Sequence, residues 1–466
     1  MNTFIKNPFL LPALIAGFSL VPAGRVTAQT FTTLHSFAGG GDGANPYAGL
    51  TLSGHTLYGT ALYGGSSGKG KVFAINTDGT GFTSLMSFNG VGDGANPSAG
   101  LILSGNTLYG TAAQGGSSGN GTVFAVNTDG TGFMNLHSFT SGSGGGNPSA
   151  GLILSGNTLY GTAVNGGSSG DGTVFKVNTN GTGFMNLHSF TYGSDGGNPD
   201  AGLILSGNTL YGTARAGGGL GQGTVFKVNT DGTGFTILHS FKARSGSLNT
   251  NSDGALPSAG LILSGNTLYG TAGYGGIFGN GTVFAVNTDG TGFKAVHSFA
   301  AAPNYTNSDG ANPSAGLILS GNTLYGTAYQ GGSSGNGTVF AVKTNGMGFT
   351  NLYNFTGGSD GGNPTAGLIL SGNTLYGTAR NGGSSGKGTV FSLSLPPPPQ
   401  LALVRSAADV ILTWPTNAAG FALQSTPNLV SPAVWSPVSP GPVVVHGQNA
   451  VTNPVSGTRQ FYRLSQ

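Results

Sequence analysis

Short apolar runs of five to seven residues, each followed by a glycine-rich polar break, recur along most of the chain. In one stretch they are "GLILS" at 100–104, "TLYGTA" at 107–112, "TVFAVN" at 122–127 and "FMNLHSF" at 133–139. The breaks between them are "SGN", "GGSSGNG" and "TDGTG". Gly, Asn, Asp and Ser accept positive φ or bond to their own backbone, which is the chemistry of hairpin turns. No run shows helical periodicity, so the pattern predicts four strands per unit and an all-β fold. Within the strands both faces are apolar: Leu101 and Leu103 oppose Ile102, and Val123 and Ala125 oppose Phe124 and Val126. Such strands need cover on both sides.

The unit repeats. The tyrosine of "LYGT" falls at Tyr58, Tyr109, Tyr160, Tyr211, Tyr269, Tyr325 and Tyr376, with spacings of 51, 51, 51, 58, 56 and 51 residues. A period near fifty in a β-rich chain predicts propeller blades, each four-stranded sheet covered by its two neighbours. A stacked solenoid with two coils per repeat is the alternative. The four runs are expected to order as strands A (innermost), B, C and D (outermost). The chain opens with a lone D-type run, "FTTLHSF" at 31–37, and its last copy stops at the C-type run "TVFSL" at 389–393. The expectation is a seven-bladed β-propeller over 29–395, with 31–37 pairing antiparallel to 389–393 and closing the ring.

The pattern "SGNTLYGTAxxGGSSGxGTVFxVNTDGTGF" resembles the GloVer tandem repeat and covers residues 31 to about 395. It is also loosely similar to kelch and other propeller repeats. The resemblance implies an exported bacterial protein with propeller-like repeats, often with a separate C-terminal anchor. The family is defined by its repeat, so the resemblance implies no activity and no catalytic residues.

The flanks differ from the array. Lys6, the apolar stretch "FLLPALIAGFSLVP" at 9–22 and "VTA" at 26–28 predict a signal peptide over 1–28, cleaved after Ala28. A retained anchor is the alternative, against which stand the shortness of the stretch and Pro12 and Pro22. "PPPP" at 396–399 predicts a stiff linker. Beyond it, "DVILTWP" (409–415), "GFALQST" (420–426), "VWSPV" (434–438), "VVVHG" (443–447) and "RQFYRL" (459–464) read as strands of a small β-sandwich over 400–466. That run resembles a short fibronectin type III or immunoglobulin-like module, with Trp414 and Trp435 in its core. It carries no Pro-Glu-Pro sorting motif, apolar span or basic tail of the kind that ends some family members.

Composition narrows the function classes. The 90 glycines sit at fixed places in the period rather than signalling disorder. The formal charge is +3, and there is no glutamate. Without Lys6 and Arg25, fourteen basic residues face thirteen aspartates, and no basic run offers a nucleic-acid footprint. The absence of cysteine rules out disulfides and thiolate metal sites. Glycine spacings that mimic a phosphate loop lack a strand–helix unit, so no cofactor is expected.

The titratable residues read mainly as structure. Asp78, Asp129, Asp231 and Asp289 of "TDGTG" interchange with Asn180 and Asn345, which marks a turn role. Asp42, Asp93, Asp195, Asp253, Asp309 and Asp360 precede "NP" or "LP", with Gly144 in the third copy. One carboxylate per loop suits capping hydrogen bonds better than calcium. His35, His137, His188, His239 and His297 share their place with Met86 and Tyr353, so the position reads as packing, not metal ligation.

Variation between copies points to one face, where B–C and D–A loops meet. Both long spacings come from D–A loops, 242–257 and 301–313, expected to be the least ordered parts of the array. The pair after "GTA" also changes, giving the candidate ligand-binding rim Tyr63, Gln114, Asn165, Arg215, Tyr274, Gln330 and Arg380. A variable polar and aromatic rim on a repeated scaffold suits binding; drift on a free surface is the alternative. The functional expectation is an exported, monomeric, non-enzymatic protein that presents this face to an extracellular glycan or protein. A polysaccharide hydrolase or lyase and a structural matrix component are the alternatives.

Overall fold

The computed structural model describes residues 29–396, 399–406, 409–416, 421–430, 433–445, 447–454 and 459–465. The expected signal peptide and part of the proline linker lie outside them. The chain forms two compact units, one spanning Phe31–Ser394 and the other taking in Leu395–Gln466.

The first unit is all-β. Seven four-stranded antiparallel sheets follow one another, each ordered as the sequence predicts. In the second copy the strands are Ile102–Ser104, Thr107–Ala112, Thr122–Asn127 and Met134–Ser138. Strand A is shorter than its apolar run, beginning at Ile102, and Gly100 just before it stands against the Gly49 carbonyl of the adjacent copy. Strand D carries a bulge where it pairs with strand C, between Val123 and Phe124. One sheet joins the two ends of the array: Phe31–Ser36 lies antiparallel to Thr389–Ser394, with Phe31 opposite Leu393 and Ser36 opposite Thr389.

Why these letters repeat becomes clear where sheets meet. In "LYGT" the tyrosine and threonine face one neighbour while leucine and glycine face the other way. A methyl group on Gly110 would sit 2.6 Å from Phe124 Cζ and 2.7 Å from Leu101 Cδ2, so only glycine leaves room for that phenylalanine. The threonine hydroxyl is buried and donates to the alanine carbonyl of the next copy. Thr60 reaches Ala99, Thr111 Ala150, Thr162 Ala201, Thr213 Ala259, Thr271 Ala315 and Thr327 Ala366, at 3.0–3.2 Å. The seventh, Thr378, donates to Ala48 of the first copy at 2.9 Å. The glycines of "AG" abut in the same cyclic order: Gly100 stands against the Gly49 carbonyl, and Gly49 against that of Gly367.

Apolar burial follows these junctions. One cluster packs Tyr160, Val174, Leu187 and Phe190 against Leu203, Leu210, Ala214, Phe226 and Val228 of the next sheet. Another joins Tyr376 and Val390 to Phe37, Leu50, Leu57, Phe73 and Ile75, so the last sheet packs on the first full copy. Aromatic stacking spans the same gaps. His188 lies 3.6 Å from Phe235 and His137 3.6 Å from Phe184, both nearly parallel. Tyr353 stacks on Phe31 at 4.0 Å, so Phe31 takes the place that the "TGF" phenylalanine holds in other copies.

The histidines pack as expected, and most also hold a carboxylate that the sequence reading treated separately. Nε2 of His35, His188, His239 and His297 lies 2.9–3.3 Å from Asp42, Asp195, Asp253 and Asp309. The Tyr353 hydroxyl donates to Asp360 at 3.0 Å. Each aspartate also accepts a backbone N–H at the end of strand D, as Asp42 does from Ala38 and Asp195 from Thr191. Asp78 and Asp129 instead accept from the N–H and hydroxyl of Thr80 and Thr131, within their turns. Gly144 stands in sequence where other copies carry that aspartate, and burial without a carboxylate pushes His137 down to about 4 from 6.5.

In the second unit, Ala402–Ser406, Asp409–Pro415, Gln448–Pro454 and Val443–Val445 form one sheet. Ser436–Pro437, Ala422–Thr426 and Phe461–Ser465 form a second. Their core joins Leu412, Trp414, Leu423 and Val451. Trp435 stands outside that cluster, with the Arg463 guanidinium 4.3 Å from its ring centroid. It lies beside the short edge strand, and a cationic side chain covers it instead of the core.

Two outcomes test these junctions. Thr378→Val should cost as much as Thr162→Val, about 1–3 kcal/mol, because each orphans a buried carbonyl between sheets. Phe37→Ala should cost about 3–5 kcal/mol in urea unfolding. For His137, the unfolded chain takes a proton near pH 6.5 while the fold refuses it until about pH 4, so stability is lost as pH falls between these values. Gly144→Asp should raise the His137 titration midpoint in NMR and shrink that acid loss.

Candidate functional site

The residue before "AG" in each copy ends a D–A loop and enters strand A. Strand B of the same sheet finishes alongside it. At this end of the sheets lies a cavity of about 590 Å³. Its wall is made by Ala-Gly steps of all seven copies, which are small enough to leave open space. Larger side chains enter at only a few points. Ser98, Ser149, Ser258 and Ser314 stand before Ala-Gly in four copies, whereas Tyr47, Asp200 and Thr365 occupy that position in the others. From the exit of strand B come Leu62, Val164, Arg215 and Tyr329.

The structure divides the expected rim. Arg215 and Tyr274 line the cavity. Arg380 reaches it through Tyr47, with its guanidinium carbon 5.4 Å from that ring centroid. Tyr63, Gln114, Asn165 and Gln330 do not line it. Their backbones bridge antiparallel to Ala44, Ala95, Gly146 and Ala311, so the B–C and D–A loops do meet on one face, but these four side chains lie away from the opening. Of the variable pairs, the first residue lines the cavity at Leu62, Val164, Arg215, Gly273 and Tyr329, and the second does so at Tyr274. The position before "AG", also variable, was missed because its letters sit in a loop common to all copies.

Chemistry is concentrated on one part of the wall. Asp200 Oδ2 lies 3.9 Å from Arg215 Nε, a loose pair with half of the arginine side chain exposed. Its other oxygen, Oδ1, is buried without a hydrogen-bond partner. Burial pushes the Asp200 carboxyl up to about 7, against the downward pull of Arg215. Arg380 Nε is likewise buried with no partner, and Arg380 makes no ion pair among the described residues. Burial raises the Tyr47 phenol; Arg380 and Arg215 oppose that shift, while Asp200 and Tyr329 add to it. Four side chains therefore act electrostatically on Tyr47, and Arg215 acts on Asp200 as well.

Scaffold contacts hold the wall in place. The asparagine of "NP" donates its side-chain amide to the carbonyl at the strand B exit of the preceding copy. Asn96 reaches Leu62, Asn198 reaches Val164, Asn363 reaches Tyr329, and Asn45 reaches Arg380, at 3.0–3.2 Å. The long D–A loops are internally bonded: Asn251 donates to the Lys242 and Gly254 carbonyls, and Asn307 to those of Ala300 and Gly310. Arg244 of the first loop lies 5.6 Å from the Tyr274 ring centroid. No three His, Asp or Glu side chains among the described residues gather as a metal set, and no helix there is long and apolar enough to cross a membrane.

Comparison with known proteins places the array. No curated protein matches the sequence. Among solved structures, oligogalacturonate lyase from Vibrio parahaemolyticus is 10% identical, with a TM-score of 0.50 over 78% of this chain and 93% of that one. An extracellular domain assigned to a one-component system of B. thetaiotaomicron is 12% identical, with a TM-score of 0.50 over 88% of this chain and 48% of that one. The chain thus spans about half the length of the latter. At such identities the likeness is one of fold, all-β and propeller-like. The Gloeobacter/Verrucomicrobia repeat model matches residues 17–156, 136–302 and 247–404. The chain belongs to the Gloeobacter/Verrucomicrobia repeat family.

Proposed function

We propose that the seven sheets are the blades of a closed β-propeller and that the chain is an exported, monomeric binding protein for an extracellular glycan. The propeller reading is supported by the bond from Thr378 to Ala48 and by the pairing of Phe31–Ser36 with the last copy. The binding reading rests on one observation: a cavity of about 590 Å³ whose uniform small wall is interrupted by Tyr47, Asp200, Arg215, Tyr274 and Tyr329. That volume is in the range of ligand pockets, which pair extensive surface with a few placed polar groups. Tyrosine rings offer flat faces to sugar rings, and the four serines offer hydroxyl partners. The C-terminal unit, in this reading a fibronectin-like or immunoglobulin-like module, serves as spacer or attachment.

One observation favours a second reading, a polysaccharide lyase or hydrolase. Asp200, titrating near neutrality, lines the same cavity as Tyr47, and a carboxyl of that kind exchanges protons readily near pH 7. Product release from a panel of polysaccharides, measured by reducing ends and ultraviolet absorbance, would support it.

A glycan array probed with the full chain tests the main reading. Tyr47→Ala and Tyr329→Ala should each weaken the bound glycan about tenfold or more, with the melting temperature nearly unchanged. Tyr63→Ala, outside the cavity, should leave binding intact. An empty array, or glycan binding that survives both cavity variants, would overturn the glycan-binding reading.

A further inference from the structure

Arg215 and Asp200 are the charged residues of the cavity wall, and Arg380 stands at its edge, over the Tyr47 ring. Arg215 is held only loosely by Asp200, and Arg380 has no carboxylate partner among the described residues. Guanidinium donors match a carboxylate in a planar, two-bond geometry, and they bind it best where water is partly excluded. Asp200 already offers Arg215 a carboxylate, at 3.9 Å, longer than a hydrogen bond. A ligand carboxylate could therefore displace it at little cost. Beside these charges stand two rings, Tyr47 under Arg380 and Tyr329. A bare phosphate or sulfate would make no use of those rings or of a volume of about 590 Å³.

We propose that the cavity seats an acidic sugar, a hexuronate unit of an oligosaccharide, with Arg215 and Arg380 holding its carboxylate and Tyr47 and Tyr329 covering its ring. This rests on the reading of the cavity as a glycan site and adds the charge of its occupant. Asp200 is then the competitor for Arg215. The groups acting with it around Tyr47 are Arg215, Arg380 and Tyr329. When Asp200 takes up a proton, Arg215 is released and anion affinity rises. The ligand carboxylate stays ionised through this window, because an exposed uronate titrates in the ordinary carboxylate range.

Calorimetry with the full chain tests this, using a tri-galacturonate, the same trisaccharide with its carboxyls methyl-esterified, and free sulfate. The tri-galacturonate should bind about tenfold or more tightly than the ester. Arg380→Gln and Arg215→Gln should each remove most of that advantage, and weak ester binding should be unaffected. Arg215 is half exposed, so its variant keeps the test alive if Arg380→Gln fails to fold. Asp200→Asn should tighten tri-galacturonate binding severalfold and abolish its rise between about pH 8 and pH 6. A purely structural Asp200 would produce neither effect. Equal binding of acid and ester would overturn the charge assignment while leaving a glycan site standing. Sulfate binding as tightly as tri-galacturonate would remove the sugar. No binding of tri-galacturonate by the wild-type chain would end the inference, and the glycan array then decides the broader reading alone.

Discussion

A hydroxyl with no water to turn to organises this molecule. The threonine of each "LYGT" is buried between two sheets, where an unpaired donor would cost on the order of 1–3 kcal/mol. Its partner is always the alanine carbonyl of the following copy, which fixes the height and spacing of neighbouring sheets. With that distance set, glycine at the preceding position becomes necessary because the phenylalanine of strand C fills the space a Cβ would take. Alanine and glycine in "AG" follow from the same closeness, since inner strands of successive copies approach with only backbone between them. The near-identity of the copies is thus a packing requirement. A change at any of these letters must be accommodated at two interfaces.

That requirement explains what was legible in the sequence. The strands B and C came out at their observed limits because their apolar runs are bounded by glycine turns on both sides. The pairing of 31–37 with the last copy followed from counting D-type runs, and Phe31 and Phe37 show why it works: each occupies an aromatic place that another copy fills from within. The His–Asp pairs were harder to see. Their partners are separated by seven residues in some copies and by twelve or fourteen where the loop is longer, and Met86 or Gly144 breaks the pattern. Trp435 was misplaced because an aromatic in a short strand reads as core unless a cation is known to cover it.

The site was half legible. Variation at the strand B exit pointed to the end of the sheets where the cavity lies, and Arg215, Tyr274 and Arg380 belong to the cavity or its edge. Side-chain direction was not legible, since loop residues beyond a strand lose the two-residue alternation. Tyr47 and Asp200 were hidden by the conserved letters around them, although serine stands there in most copies. The four groups that act on Tyr47 of the first copy come from the fourth, sixth and seventh copies, and no linear pattern announces that they meet.

The entry and exit of the large unit are a directly opposed strand pair, Phe31 across from Leu393, about 5 Å apart. A chain of more than three hundred residues is therefore hung from a single point. Tension applied between its ends would peel the ladder open one bond at a time from Phe31, rather than shear all of its bonds together. The unit is mechanically weakest where its covalent ends meet, even though that junction carries the same side-chain contacts as the others. By the same token, a host chain could accept the whole array within a surface loop, because the inserted ends ask for hardly any separation.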